Sequence, residues 1–249
     1  MGIITFRQYL TEAGDVTERQ ENAFVEAINI AVEMNGNKPI TIISKDAVVK
    51  GVTGADKYKG RQASGSEPYT DVRLFTSTGV INLSMKGPSA PSLAGGGLRG
   101  VEAILPGIGV RFFRAAHEAH LKAGRKLGDK IPDTYAKLND KDKKLLVLGN
   151  AAMGGPIDFM YIGPMDVKTS MKRDVLTVNG KLTDATKYAN EHELYFRLRS
   201  RRIDQRFDPA ASDTKGVPKI YGKSPSKGDS SGRLVITDQV PSSAKVITF

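Results

Sequence analysis

Pro68-Tyr69-Thr70-Asp71-Val72-Arg73-Leu74 and, a few residues on, Ile81-Asn82-Leu83-Ser84-Met85-Lys86-Gly87 carry the densest information in this chain. Between them lies Thr76-Ser77-Thr78-Gly79, a turn-forming tetrapeptide. Residues 71–75 and 80–86 therefore read as the two strands of a hairpin. Side chains on a strand alternate faces, so Asn82, Ser84 and Lys86 share one face while Leu83 and Met85 point into apolar packing. An aspartate opens the first strand and a lysine closes the second, so the hairpin sets polar groups side by side on a rigid sheet.

On the N-terminal side, Thr17-Glu18-Arg19-Gln20 reads as a capping box that starts a helix running to Met34, with Asn35-Gly36-Asn37 closing it. Its apolar face comprises Phe24, Val25, Ala27, Ile28, Ala31 and Val32. At helical periodicity Glu21 falls within that face, whereas Glu26 and Glu33 project away from it. A carboxylate on a core-facing stripe needs a partner or a metal. Pro39 to Ser44 is a β-branched run and reads as a strand. Val52 to Tyr69, rich in Gly, Lys, Ser and Gln, reads as a loop.

On the C-terminal side, Gly87 to Gly100 reads as irregular, with Arg99 in its glycine run. Helices are expected over Gly109 to Leu127 and Asp140 to Ala152, separated by a Pro-containing link, and strands over Ile157 to Ile162 and Val175 to Val178. His117-Glu118-Ala119-His120 lacks the spacing and third ligand of a zinc helix and reads as a surface or half-buried pair. Glu191 to Arg202 opens a basic region. If residues 195–201 form a strand, Tyr195, Arg197, Arg199 and Arg201 share one face, a row of guanidinium groups suited to a phosphate backbone. Arg202 and Arg206 extend it. Strand-like pieces at Arg233 to Thr237 and Ala244 to Phe249 follow.

The composition narrows the chemistry. The chain of 249 residues contains no cysteine, which excludes thiol catalysis and Cys-ligated metal, and only three histidines. A metal here would be a hard cation held by oxygen. A formal net charge of +10 favours a polyanionic partner, nucleic acid first. No apolar run is long enough to span a membrane, and no secretory signal is legible at the N-terminus.

An aspartate, a short hairpin and a terminal x-Lys resemble the signature of the PD-(D/E)xK nuclease superfamily, which includes many restriction enzymes. The resemblance implies an α/β fold with a restriction-endonuclease-like mixed central sheet flanked by helices, here with a basic C-terminal extension containing β structure. It implies phosphodiester hydrolysis with Mg²⁺ (or Mn²⁺) held by Asp71 and by a neighbouring main-chain carbonyl, that of Met85, while Lys86 positions water or neutralises developing charge. Asn82 and Ser84 would support the site. The sequence departs from the family at Ser84, where an acid is expected. Members often supply an acid from the first helix, and Glu21 matches that role, with Glu67 and Glu102 as weaker candidates.

Ile4-Thr5-Phe6-Arg7-Gln8-Tyr9-Leu10-Thr11-Glu12-Ala13 resembles the capsid-targeting leaders of T-even type phages, which a prohead protease removes after a Leu/Ile-x-Glu site. These readings divide the chain into a leader-like segment at 1–14, a nuclease-like core at 15–180 and a basic region at 181–249. They imply a phage-encoded Mg²⁺-dependent endonuclease acting on double-stranded DNA. Arg99, Arg197, Arg199, Arg201, Arg202 and Arg206 would contact phosphate. The location would be the virion interior or the host cytoplasm, and a homodimer is compatible with the sequence. The alternative is a non-catalytic DNA-binding or virion structural protein that keeps the fold.

Overall fold

A computed structural model describes residues 13–58, 68–88, 92–93 and 97–249, with 13–17 and 92–93 described as backbone alone. The leader-like residues 1–12, and Glu67, lie outside these. The chain is mixed α/β and divides into two compact units, one of residues 1–59, 70–90 and 157–185, the other of 60–69, 91–156 and 186–249. The division cuts across the expected boundary at residue 180, because residues 91–156 supply strands to the same sheet as the basic region.

The first unit holds helix α1 (Ala13–Met34) and an eight-stranded mixed sheet. Its strands are β1 (Ile40–Ile43), β2 (Val48–Lys57), β3 (Val72–Thr76), β4 (Gly79–Lys86), β7 (Phe159–Ile162), β8 (Thr169–Lys172), β9 (Val175–Val178) and β10 (Lys181–Asp184). Their spatial order is β10-β7-β4-β3-β2-β1-β9-β8. Strands β1 to β4 form an antiparallel meander, and the expected hairpin is its last turn, with Val72 opposite Leu83 and Thr76 opposite Gly79. β4 then pairs in parallel with β7, and β1 in parallel with β9.

Helix α1 covers one face of this sheet. Phe24, Ile28, Ala31 and Val32, from the expected apolar stripe, pack with Val72, Leu74, Leu83, Met85 and Tyr161 in one core. The Phe24 and Tyr161 rings lie 5.0 Å apart, and the Tyr161 hydroxyl donates to Asn179 Oδ1 at 3.1 Å. α1 begins before the expected capping box, so Thr17 lies within the helix. Gln20 does not reach back to a cap: it is fully buried, and its Nε2 donates to the carbonyls of Gly163 and Pro164.

The stretch read as a loop from Val52 is in part strand β2. Its ladder is irregular: register shifts fall between Ile40 and Ile42 on one side and between Val52 and Gly54 on the other. Such bulges break the two-residue period that identifies strands. Gly54 permits a close approach of α1, whose Asn29 accepts from the Ala55 N–H at 2.8 Å and donates to the Ala55 carbonyl at 3.0 Å.

The second unit holds α2 (Gly97–Ile104), α3 (Ile108–Lys122), α4 (Asp140–Leu148) and a 3-10 turn at Ala151–Met153. Its sheet contains β5 (Ser92–Leu93), β6 (Thr134–Lys137), β11 (Tyr195–Ser200), β12 (Gly232–Thr237) and β13 (Val246–Ile247) in the order β13-β6-β11-β12-β5. α5 (Ala185–Glu191) leads into β11. α3 lays Phe112 against Phe196 of β11, ring centroids 5.2 Å apart, and against Phe249 at 5.5 Å. The irregular reading of residues 87–100 is corrected by β5 and by α2, and the Pro-containing link by β6. No helix among the described residues is long and apolar enough to cross a membrane.

Candidate functional site

Asp71 stands immediately before β3, where that strand enters the sheet. Its backbone is still in the ladder: its N–H donates to the Leu83 carbonyl at 2.8 Å, and its carbonyl accepts from the Tyr58 N–H at 2.9 Å. Its side chain continues the pairing that β3 no longer provides. Oδ2 accepts from the Met85 N–H at 2.6 Å and from Ser84 Oγ at 3.1 Å. The N–H and C=O of one strand residue point to the same edge. The Met85 carbonyl therefore opens on the Asp71 side.

Ser84, at the position where the nuclease resemblance would have an acid, is buried, and its hydroxyl is directed at Asp71. Asn82 lies farther along the hairpin, opposite Arg73, with its N–H donating to Asp158 Oδ2 at 2.7 Å. Arg73 itself is held by both carboxylate oxygens of Asp56.

Glu21 comes to this end of the sheet from α1. Its side chain is only 14% exposed, and Oε2 lies 3.1 Å from Lys57 Nζ. Burial raises its pKa above the ordinary value, and the negative charge of Asp71 raises it further; Lys57 opposes both. Its low exposure agrees with the helix periodicity, which set Glu21 within the apolar face of α1. Lys57 ends β2 opposite Val72, and it also reaches Glu18 Oε1 at 3.3 Å. Sequence reasoning missed Lys57 because the bulged β2 was read as a loop.

Lys86 is differently placed. Leu83, Met85 and Tyr161 belong to the core under α1, so alternation turns Ser84 and Lys86 to the other face of the sheet. Lys86 forms no ion pair with a described residue. Of the weaker acids, Glu102 accepts from the Gly107 and Val110 N–H groups at 2.6 and 3.0 Å and caps α3.

Among the described residues no group of three or more histidines or acids could hold a metal. Magnesium, however, keeps several waters and binds through one or two carboxylates. Asp71, Glu21 and the Met85 carbonyl are the donors such a smaller set would draw on at this end of the sheet. The histidine pair is structural: His120 is buried against Thr134 Oγ1 at 2.8 Å, and His117 bonds the Pro209 carbonyl at 3.0 Å.

The basic strand forms as expected over β11, although it ends at Ser200, so Arg201 lies beyond it in an exposed turn. Phe196 and Leu198 are buried, and Arg197 and Arg199 face the other way. Two of the arginines are already committed. Arg197 donates to Asp133 through Nε and Nη2 at 2.7 and 2.6 Å, and Arg202 Nε bonds Asp229 at 3.0 Å. Arg206 donates to the Ile203 and Gln205 carbonyls. Arg199 faces Arg233 across the ladder, like charge to like charge, and its Nε is buried without a partner among the described residues. Arg99 is exposed on α2 instead of in a loop.

No family model, no curated protein and no solved structure matches the chain.

Proposed function

We propose that the protein is a Mg²⁺-dependent DNA endonuclease with a restriction-endonuclease-like core, in which Asp71, Glu21 and the Met85 carbonyl hold the metal. The observation that carries this reading is that Glu21 and Asp71 come to one end of the sheet: Lys57 lies 3.1 Å from Glu21 and pairs with Val72, the residue after Asp71. The two carboxylates are fifty residues apart in sequence, roughly 170 Å of extended chain. A bound cation would supply charge neutralisation at phosphate and a more acidic water. The protein's own part is to hold two carboxylates at the end of a rigid sheet, where burial strengthens their interaction with a cation. Ser84 and the Met85 N–H fix the Asp71 rotamer, and the net charge of +10 favours DNA encounter. Arg199, Arg201 and Arg99 would contact backbone phosphate.

The test is cleavage of supercoiled plasmid by the purified chain with Mg²⁺, Mn²⁺ or a chelator. Cleavage restricted to the divalent-ion arms is expected. Integrity of the plasmid under all conditions refutes the nuclease reading.

One observation favours a second reading, a non-catalytic DNA-binding or virion protein. A serine stands where the family carries an acid, and it satisfies Asp71 from within the protein. Such a chain would bind the plasmid without cutting it. Packaging in a phage head rests on the leader resemblance alone. It would be tested by virion mass spectrometry for a peptide beginning at Ala13.

A further inference from the structure

We propose that Lys57, and not Lys86, is the lysine that meets the scissile phosphate. The assignment rests on the nuclease reading above. Lys57 lies at the end of β2, opposite Val72 and therefore beside Asp71, on the sheet face covered by α1. Its Nζ is 3.1 Å from Glu21 and 3.3 Å from Glu18, and its side chain is 23% exposed, so it is sheltered yet within reach of solvent. Lys86 closes β4 on the face of Ser84, whose hydroxyl meets Asp71 at the strand end, and is turned away from Glu21.

The local charge balance supports the same assignment. Glu18 and Glu21 supply two carboxylates to one ammonium among the described residues. A cation that joins the carboxylates would loosen Lys57 from Glu21 and leave its flexible, compact ammonium available to a non-bridging phosphate oxygen. In the hydrolysis a water oxygen forms a new bond to phosphorus. One bridging P–O bond breaks with its electron pair on the departing oxygen. The proton lost by the water balances the proton gained by the leaving alcohol. Lys57 would stabilise charge on the phosphoryl oxygens and need not itself change protonation.

The experiment compares the full-length wild type with K57M, K57R, K86M and K50M; Lys50 is an exposed lysine of the same strand. Plasmid cleavage is read under single turnover, and binding of a short duplex is read in chelator as a function of salt. K57M should lose about 10²–10³-fold in rate, the usual cost of removing one such stabilising group, and should fall further than K86M. K57R should recover part of that loss. In the metal-free binding series K57M should leave the salt slope close to that of the wild type, because Glu21 and Glu18 already hold the ammonium when no cation is bound. K50M should cleave like the wild type. Should K57M fail to fold, K57Q, which keeps a donor for Glu21, carries the same comparison. Cleavage by K57M within a few-fold of wild type, or a larger loss in K86M, overturns the assignment while leaving the nuclease reading intact. A wild type that never cleaves removes the nuclease reading, and this assignment with it.

Discussion

Asp71→Asn separates what Asp71 does for the fold from what it does for chemistry. The substitution keeps the size and shape of the side chain, and one amide oxygen can still accept from Met85 N–H and Ser84 Oγ. What is lost is charge. A hydrogen bond to a charged group contributes about 1.5–3 kcal/mol and a neutral one about 0.5–1.5. Two such bonds at 2.6 and 3.1 Å would thus lose roughly 2 kcal/mol together. Part of this returns, because Glu21 no longer faces a like charge, and its pKa should drop back towards the ordinary value. A net destabilisation of about 1 kcal/mol is expected in a urea melt, a small fraction of ordinary domain stability. Cleavage should fall far more, because a metal ligand is worth several kcal/mol of transition-state stabilisation, on the order of 10³-fold in rate. Carbon-detected NMR titration of Glu21 gives a third reading. Undiminished cleavage, or an unmoved Glu21 titration, would refute the placement of these carboxylates in one site.

Glu21→Gln should reduce cleavage severely, while the exposed Glu26→Gln on the same helix should not; equal behaviour of the two would remove α1 from the site. Arg199→Ala and Arg201→Ala should each lower the salt slope of duplex binding by about one, whereas Arg197→Ala should change it less because Asp133 already holds that guanidinium. Burial, with Arg125 and His117 adding to it, lowers the His120 pKa from 6.5 to about 4, so the fold holds this ring neutral. Stability from this group is present above pH 6.5 and is lost as the pH falls towards 4, by roughly 3 kcal/mol in all. Urea melts at the two ends of that window should differ accordingly, and His120→Gln should flatten the difference.

The parts of the fold legible in the sequence are those whose periodicity is undisturbed. The stripe of Phe24, Ile28, Ala31 and Val32 marked α1, and alternation marked the hairpin and β11. What escaped had its pattern broken by tertiary demands. β2 carries two register shifts and the glycines that accommodate them, so it read as a loop and concealed Lys57. α2 begins inside a glycine run, and β6 is short enough to hide in a Pro-containing link. Gln20 read as a capping residue because local spacing says nothing about the distant carbonyls of Gly163 and Pro164 that it bonds. Glu21 was legible for the opposite reason: a charge on an apolar stripe is an anomaly before any partner is known.

The large sheet takes its strands from three separated stretches of chain, and two parallel pairings join the last of them to the meander, β4 with β7 and β1 with β9. Until Phe159–Ile162 arrive, β4 is an edge with unpaired backbone groups, and the chain between must fold elsewhere or wait. Pairings of such high sequence separation are slow to form, since loop-closure entropy must be met before any contact offsets it. An emerging chain would therefore hold the Asp71 hairpin and the Lys57 strand early, as an open and adhesive meander, and would close that edge only once residues 159–162 have been made. The segment at residues 157–162 thus acts as a kinetic latch, and its loss would expose a sticky sheet edge as well as cost stability.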